Sequence, residues 1–349
     1  MSETPSRNDP AGAEVPGEHG KGRQRPRRRR GLRIALISMA SFVVLIGAVA
    51  AGGYAYVNHM AGSIQRIPVK FTKLTAAEGA AGYYDHMKAL NVLITGAGFG
   101  PTGRPSPVNE LSDSGLIMIL HVNANQYSGG VVSIPPQSIV WIPGHGKGRL
   151  EDALKDGGPS LLVQTIENLT HVQINHYARI DFNHVANVVN VMGGVDVTLP
   201  DVTDSFGHHF HLGVNHLDGI AALDYAREPN ISEEARVLRQ QSLIRAVIRK
   251  LYLQHLLSNP LHGYRVLHAL ISMLTVDSNF TNSQLEHLAM EIRSLVGSST
   301  YVTAPVHYVR GNVYLDEAIS QQLWAAIRQD AIAAFASKYP YTVTPVAPR

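Results

Sequence analysis

Cysteine is absent from this 349-residue chain. Its absence excludes disulfides, thiolate zinc sites and a cysteine nucleophile, and leaves the compartment open, because exported proteins without disulfides are common. Charge is scarce as well: 16% of residues are Asp, Glu, Lys or Arg, against 45% hydrophobic. That balance fits a globular protein carrying a membrane segment. The formal net charge of +3 hides an uneven distribution. Residues 1–33 hold nine Lys/Arg and four Asp/Glu, a surplus of five, which leaves −2 for the rest of the chain. A domain that reads duplex nucleic acid normally carries a basic face of its own, so no nucleic-acid partner is expected.

Large apolar side chains are nearly missing from the start of the chain, which cannot offset its own conformational entropy; residues 1–33 read as a disordered basic tail. From residue 34 to 57 it is charge that is missing, over the 24 residues "IALISMASFVVLIGAVAAGGYAYV". As a helix this run is about 36 Å long, enough to cross a hydrocarbon core of about 30 Å. It is longer than a signal-peptide core and its preface is long, so a retained transmembrane helix is favoured over a cleaved signal, although the small residues at 47–53 keep a cleavage site open. The arginine cluster before it orients the span by the positive-inside rule. The expectation is a single-pass cell-membrane protein, N-terminus cytoplasmic and the remainder extracytoplasmic.

Residues 58–90 read as a juxtamembrane connector ending in the helix "AAGYYDHMKAL". Apolar runs at 91–95, 116–122, 131–134 and 139–142 read as strands, and "SLLVQTIENLT" as a helix, with apolar residues at 161, 162, 166 and 169. "HYARIDF" reads as a strand, and "HVANVVNVMGGVDVTL" as a helix, a Gly-Gly stop and a strand. "LDGIAALDYAR" and "EEARVLRQQSLIRAVIRKLYLQHLL" read as helices, with helical segments continuing to about 297 and then a strand, a Gly-Asn turn, a strand and a helix. No internal repeat is present. The predicted class is α/β: one large domain over 91–335, with a central mixed sheet flanked by helices, preceded by the transmembrane helix and followed by a tail at 336–349.

Three groups of residues point to chemistry. Asp113, between two serines ahead of a strand, is placed to hold Mg²⁺ or simply to cap a turn. Arg227 ends one helix, while Arg236 and Arg239 are i and i+3 near the start of the next. Two guanidiniums on one face near a helix N-terminus suit a pyrophosphate, and ion pairs to Glu228, Glu233 or Glu234 are the alternative. His208, His209, His211 and His216 lack a carboxylate at a ligand spacing and read as solvated loop histidines rather than a zinc site. "GHGKGR" at 144–149 is glycine-rich but lacks the Gly-Lys-Ser/Thr ending of a phosphate loop.

The order of these pieces resembles the LytR–CpsA–Psr family of envelope enzymes. The resemblance rests on "NVLITG", "SDS" before an apolar strand, "VVSIP", "IPGHGKGRLEDALKDGGPSLLVQTIENL", "HYARIDFNHVANVVNVMGGVDVTLPD", "HLDGIAALDYAR" and "RVLRQQ". It runs from about 91 to 241, within a best-matched core of 91–250, with a weaker echo to about 330. It implies transfer of a glycopolymer from a polyprenyl-pyrophosphate carrier to peptidoglycan, with Mg²⁺ on Asp113, Asp113 and Arg227 as catalytic residues, and Arg227, Arg236 and Arg239 on the pyrophosphate. It also implies an apolar tunnel between sheet and helices for the carrier's membrane-lipid chain.

Against the family's pattern, this sequence departs where charge matters. The usual Ile-Pro-Arg-Asp is Ile134-Pro135-Pro136-Gln137 here. The arginine usual before Ser-Asp is Leu111, the charged residues usual after the first strand's glycine are missing from "GAGFG", and the usual Lys and Asn before the Gly-Gly pair are Arg149 and Glu151. The second arginine of an Arg-x-Arg is Pro229, and Glu233 stands near the usual aspartate. Arg104 and Arg149 are the candidates to fill the clamp, with Arg179 more remote. A rigid proline exit from the strand is tolerable where no ligand meets it. Two other readings follow from the departures: a non-catalytic relative that binds the lipid or wall polymer as a scaffold, and a regulator, the family's older transcriptional-attenuator label, acting through its cytoplasmic tail. The sequons at Asn168, Asn230 and Asn279 read as incidental.

Overall fold

Along residues 116–119, Leu116 and Met118 are buried against one set of helices and Ile117 and Ile119 against another. This period of two marks a strand with both faces covered, and the same holds for the strands around it. The computed structural model describes residues 62–72, 89–97, 116–125, 128–199, 203–205, 207–228, 231, 233–253, 260–295 and 299–343. The basic tail, the 34–57 span, residues 80–88 of the helix expected at 80–90, Arg104 and Asp113 lie outside the described residues, as does the side chain of Arg227; the end of that expected helix is corrected, because Leu90 begins a strand. Among the described residues no helix is long and apolar enough to cross a membrane.

The first half of the chain runs β1 (Gln65–Ile67), β2 (Leu90–Ala97), β3 (Ile117–Val122), β4 (Gly129–Ser133), β5 (Ile139–Ile142), β6 (Gly146–Arg149), α1 (Leu150–Thr170), β7 (His176–Asp181), α2 (Phe182–Val191) and β8 (Val195–Leu199). The second half adds β9 (Thr203–Ser205), β10 (His208–Phe210), β11 (Gly213–Leu217), α3 (Gly219–Arg227), α4 (Glu233–Leu253), α5 (Pro260–Ser272) and β12 (Leu274–Asp277). It closes with α6 (Asn282–Leu295), β13 (Ser299–Thr303), β14 (Val306–Val309), β15 (Asn312–Leu315), α7 (Glu317–Arg328) and α8 (Ile332–Lys338).

Seven strands form one mixed sheet in the order β1-β12-β7-β2-β3-β4-β13. The β1–β12, β7–β2 and β4–β13 pairs are parallel and the others antiparallel. On one face Leu93, Ile117, Ile119, Val132 and Tyr177 pack with Leu162 and Ile166 of α1, Trp324 of α7 and Phe335 of α8. On the other, Leu116, Met118 and Val131 pack with Val185 and Val189 of α2, Tyr225 of α3 and Leu243 of α4. Each such side chain, fully buried, contributes about 1.5–3 kcal/mol, so the sheet is held from both sides.

The predicted α/β class with a central mixed sheet and flanking helices is what the chain adopts, with corrections at the margins. Helices do not run unbroken to 297: the four-residue β12 enters the sheet between β1 and β7. Gln65–Ile67, read with the connector, is the edge strand beside it. "GHGKGR" is the turn and second strand of the β5–β6 hairpin. The last hairpin turns at Arg310-Gly311, because Val309 pairs with Asn312. Residues 336–343, read as tail, are packed in part: Ala336 is buried and Val343 bridges to Val302. The helix expected from residue 160 extends back to Leu150 across a kink at Gly158-Pro159, where Gly158 has φ 65°.

Candidate functional site

Parallel strands β4 and β13 finish side by side, with Ser133 in register with Thr303. In open α/β sheets this carboxyl end is where ligands gather. Helix α4 crosses there. The Gln241 amide donates to the Ser133 hydroxyl and, at 3.3 Å, to Thr303 Oγ1. One turn earlier, α4 carries Arg239 and Arg236 along the same edge.

Arg239 is held by α3. Its guanidinium donates to the Tyr225 carbonyl at 3.4 Å and lies over the Tyr225 ring, 5.2 Å from the centroid. Asp218 starts α3 correctly by accepting the Ala221 amide at 2.9 Å, and α3 ends at Arg227. Burial pulls the Arg239 pKa down, with Tyr225 and the buried Glu228 acting against that pull. Burial also lowers Arg236, and the charge that opposes the shift is Glu151. A cation drawn partly out of water favours an added anion, which suits this edge to phosphate. Further along α4, Arg245 stacks on Tyr301 of β13 at 3.9 Å.

Glu151 arrives through the proline segment. Ser138 N–H donates to the Pro135 carbonyl at 3.0 Å, closing a turn immediately after β4. Leu150 N–H then donates to the Ser138 carbonyl and Glu151 N–H to the Pro136 carbonyl, each at 2.9 Å. These are two of the first amides of α1, which have no partner inside the helix. Pro135 and Pro136 are buried; the Pro135 carbonyl closes the turn and the Pro136 carbonyl, with that of Ser138, caps α1, so no donor or charge is asked of either proline. Arg149 N–H donates to the Asp152 carboxylate at 2.9 Å, and the Arg149 guanidinium is 3.5 Å from Glu151. Glu151 therefore faces two cations, Arg149 on the rim and Arg236 inside.

Of the residues singled out in the sequence, Arg236, Arg239 and Arg149 meet at this end of the sheet, and the backbone of Arg227 ends the helix beside them. Arg236 and Arg239 share a face of α4 yet have different partners. Arg179, on β7, donates to Thr275 at 3.4 Å and belongs to the sheet. Three of the four histidines expected in a loop lie on strands instead: His208 and His209 on β10 and His216 on β11, paired with Asp224, Asp204 and Asp196, and the His209 and His211 rings meet edge to face at 4.8 Å. Among the described residues no group of three or more potential ligands could hold a metal. Sequence reasoning missed Gln241, although it stands two residues after Arg239 in "RVLRQQ", and missed that Glu151 acts on both Arg149 and Arg236.

Residues 56–328 match the LytR_cpsA_psr family. The chain belongs to this family. Among its curated relatives is the probable cell wall biosynthesis protein LcpB of Corynebacterium glutamicum, 30% identical over 61% of this chain and 52% of its own length. Another is the polyisoprenyl-teichoic acid–peptidoglycan teichoic acid transferase TagU of Enterococcus faecalis, 28% identical over 68% of this chain and 75% of its own. The chain thus spans about half of the first relative and three quarters of the second. Its fold is similar to that of the LytR-Csp2A-Psr enzyme from Actinomyces oris, with a TM-score of 0.58 and 19% identity over 76% of this chain and 95% of that one. In this member of the LytR_cpsA_psr family, the α4 arginines stand at the same end of the sheet as a strand exit closed by carbonyl caps.

Proposed function

We propose that the chain transfers a glycopolymer from a polyprenyl-pyrophosphate carrier to peptidoglycan during cell-wall assembly. The observation that supports this most is the pair of half-buried guanidiniums on α4, Arg236 and Arg239, at the carboxyl end of β4 and β13 in a chain of this family. In the reaction, a hydroxyl of the peptidoglycan glycan attacks the phosphorus on the glycopolymer side of the pyrophosphate. The bond from that phosphorus to the bridging oxygen breaks, isoprenyl monophosphate leaves, and the hydroxyl proton is lost to solvent or base. Because phosphoryl transfer is governed by positioning and charge neutralisation, Arg227, Arg236 and Arg239 are assigned to the pyrophosphate oxygens, with Arg149 at the rim. The carrier's lipid would lie toward the apolar face between the sheet and α4, where Ile244 and Val247 stand beside Met118.

The described residues of this site are cations, amides and the carboxylates Glu151, Asp152 and Glu228, and no group of three or more potential ligands among them could hold a divalent ion. In this reading Mg²⁺ falls to Asp113, and Arg104 remains a further candidate contact; no step here is routed through the metal. Residues 34–57 anchor the domain to the cell membrane as a single span, with the basic tail in the cytoplasm.

The test is the full-length chain in detergent with Mg²⁺, an isoprenyl-pyrophosphate-linked saccharide and soluble peptidoglycan, following release of isoprenyl monophosphate. Turnover abolished by Arg227→Ala and reduced at least tenfold by Arg236→Ala is expected, since each charge-assisted contact is worth roughly 1.5–3 kcal/mol. Saturable binding of the carrier without any turnover would support the scaffold reading instead.

A further inference from the structure

The β5–β6 and β14–β15 hairpins both spring from the site end of the sheet and meet through a parallel bridge between Ser138 and Val313. Both bridge residues are buried, so their neighbours in sequence face outward. On β5 the outward residues are Ile139 and Trp141; on β6, in register with them, are Arg149 and Lys147. On β15 and β14 the outward pair is Tyr314 and His307, stacked with ring centroids 5.9 Å apart. The result is a platform of two two-stranded hairpins joined at a single bridge, about 14 Å across. Trp141 is the prominent feature of that platform, a large aromatic 65% exposed and flanked by two cations.

We infer that this platform is the docking surface for the acceptor, a peptidoglycan glycan strand. The inference rests on the transferase reading and names where its second substrate sits. An exposed indole offers a rigid apolar face and an N–H donor, the combination that suits the apolar face and hydroxyl rim of a pyranose ring. Lys147 and Arg149 complement the free carboxylates of the stem peptides that the glycan's muramic acid residues bear. A duplex nucleic acid is disfavoured by the net −2 of the chain beyond its tail. The platform is also continuous with the transfer site. Arg149 on its edge lies 3.5 Å from Glu151, and Glu151 is the carboxylate facing Arg236. A glycan lying along the hairpins therefore brings its hydroxyls to the place where the pyrophosphate is assigned.

The chain has two tryptophans, and the other, Trp324, is only 1% exposed. Intrinsic fluorescence therefore separates the platform from the core. Full-length protein in detergent is titrated with uncross-linked glycan chains of alternating N-acetylglucosamine and N-acetylmuramic acid bearing stem peptides. The expected result is a saturable change in the exposed emission with none in the buried component. In turnover, Trp141→Ala raises the acceptor half-saturation concentration by roughly tenfold, Trp141→Phe recovers much of it, and the carrier half-saturation does not follow. Emission blind to the glycan, emission responding only to the anionic glycopolymer, or a Trp141→Ala chain with an unaltered acceptor half-saturation would each overturn the assignment. A chain that binds the glycan through Trp141 but releases no isoprenyl phosphate supports the platform and sinks the transferase reading. A chain that turns over regardless of Trp141 does the reverse. Because Trp141 lies outside the core, unchanged Trp324 emission reports that each variant is folded.

Discussion

The backbone amide of Glu151 donates to the carbonyl of Pro136 at 2.9 Å, so the exit of β4 and the start of α1 are one structural unit. The caps hold Glu151 where its carboxylate is 3.5 Å from Arg149 and its charge acts on Arg236, offsetting part of the charge that a pyrophosphate would use. Glu151→Gln keeps the size and the capped amide and removes the charge. Binding of a short isoprenyl pyrophosphate to the full-length chain is expected to tighten by roughly fivefold, the scale of a partly exposed pair worth about 1 kcal/mol. Isothermal titration calorimetry checks this. Unchanged or weaker binding would show that Glu151 does not oppose the ligand.

Gln241 joins α4 to the ends of two strands through the Ser133 and Thr303 hydroxyls. All three residues are buried. Gln241→Leu preserves shape and deprives both hydroxyls of that donor, a loss of about 1–3 kcal/mol. The denaturant midpoint should fall with no change in slope, and carrier affinity should fall with it, since the preceding turn of α4 presents Arg236. A variant with lowered stability and unaltered affinity would separate the sheet edge from the arginines.

How much of this was legible follows from what each element needs. Strands β2, β3 and β4 announce themselves because both faces are buried, so their sequences are nearly continuous apolar runs. Strand β12 does not: "LTVD" is four residues between two helices, too short to break a helical pattern. Strand β6, "GKGR", carries no apolar signal and exists because β5 pairs with it. At the site, the spacing of Arg236 and Arg239 was readable, while their partners Glu151 and Tyr225 come from other helices, which no spacing reveals. Pro136 was visible as a missing arginine. Its use as a cap was not, because a carbonyl looks the same in every residue.

Gly219 begins α3, and its amide donates to Asn190 of α2 at 2.8 Å. A Cβ there would sit 2.1 Å from the Ala186 carbonyl oxygen, a backbone atom of α2 that cannot swing aside. Gly219→Ala must therefore push α3 away, carrying Tyr225 and the Arg227 backbone with it. A destabilisation of at least about 2 kcal/mol is expected, together with weaker carrier binding. Thermal unfolding and the same calorimetric titration measure both. An alanine tolerated without loss of either would mean that α2 and α3 slide freely against each other.

Glu167, near the end of α1, is fully buried. Its Oε1 accepts the Ile174 amide at 3.0 Å and the Gln173 side-chain amide at 2.7 Å. Burial raises its pKa from 4.5 to about 7, although hydrogen bonds from Ile174 and Thr72 pull the other way. An acid raised on folding binds its proton more tightly in the native state, so its effect on stability is the reverse of the usual carboxylate. Below pH 4.5 the group is protonated in both states; as pH climbs toward 7 the unfolded chain releases the proton first and native stability declines. The full decline attributable to this residue is about 3 kcal/mol. Glu167→Gln, which keeps an oxygen for both donors, should remove that slope and be the more stable protein at pH 8 while gaining nothing at pH 4. Denaturant unfolding of the two proteins at both pH values decides it, because every other titrating group is common to them and cancels in the difference. Parallel curves would mean that Glu167 stays ionised in the fold, and that its bonds to Ile174 and Thr72 outweigh the desolvation of its charge.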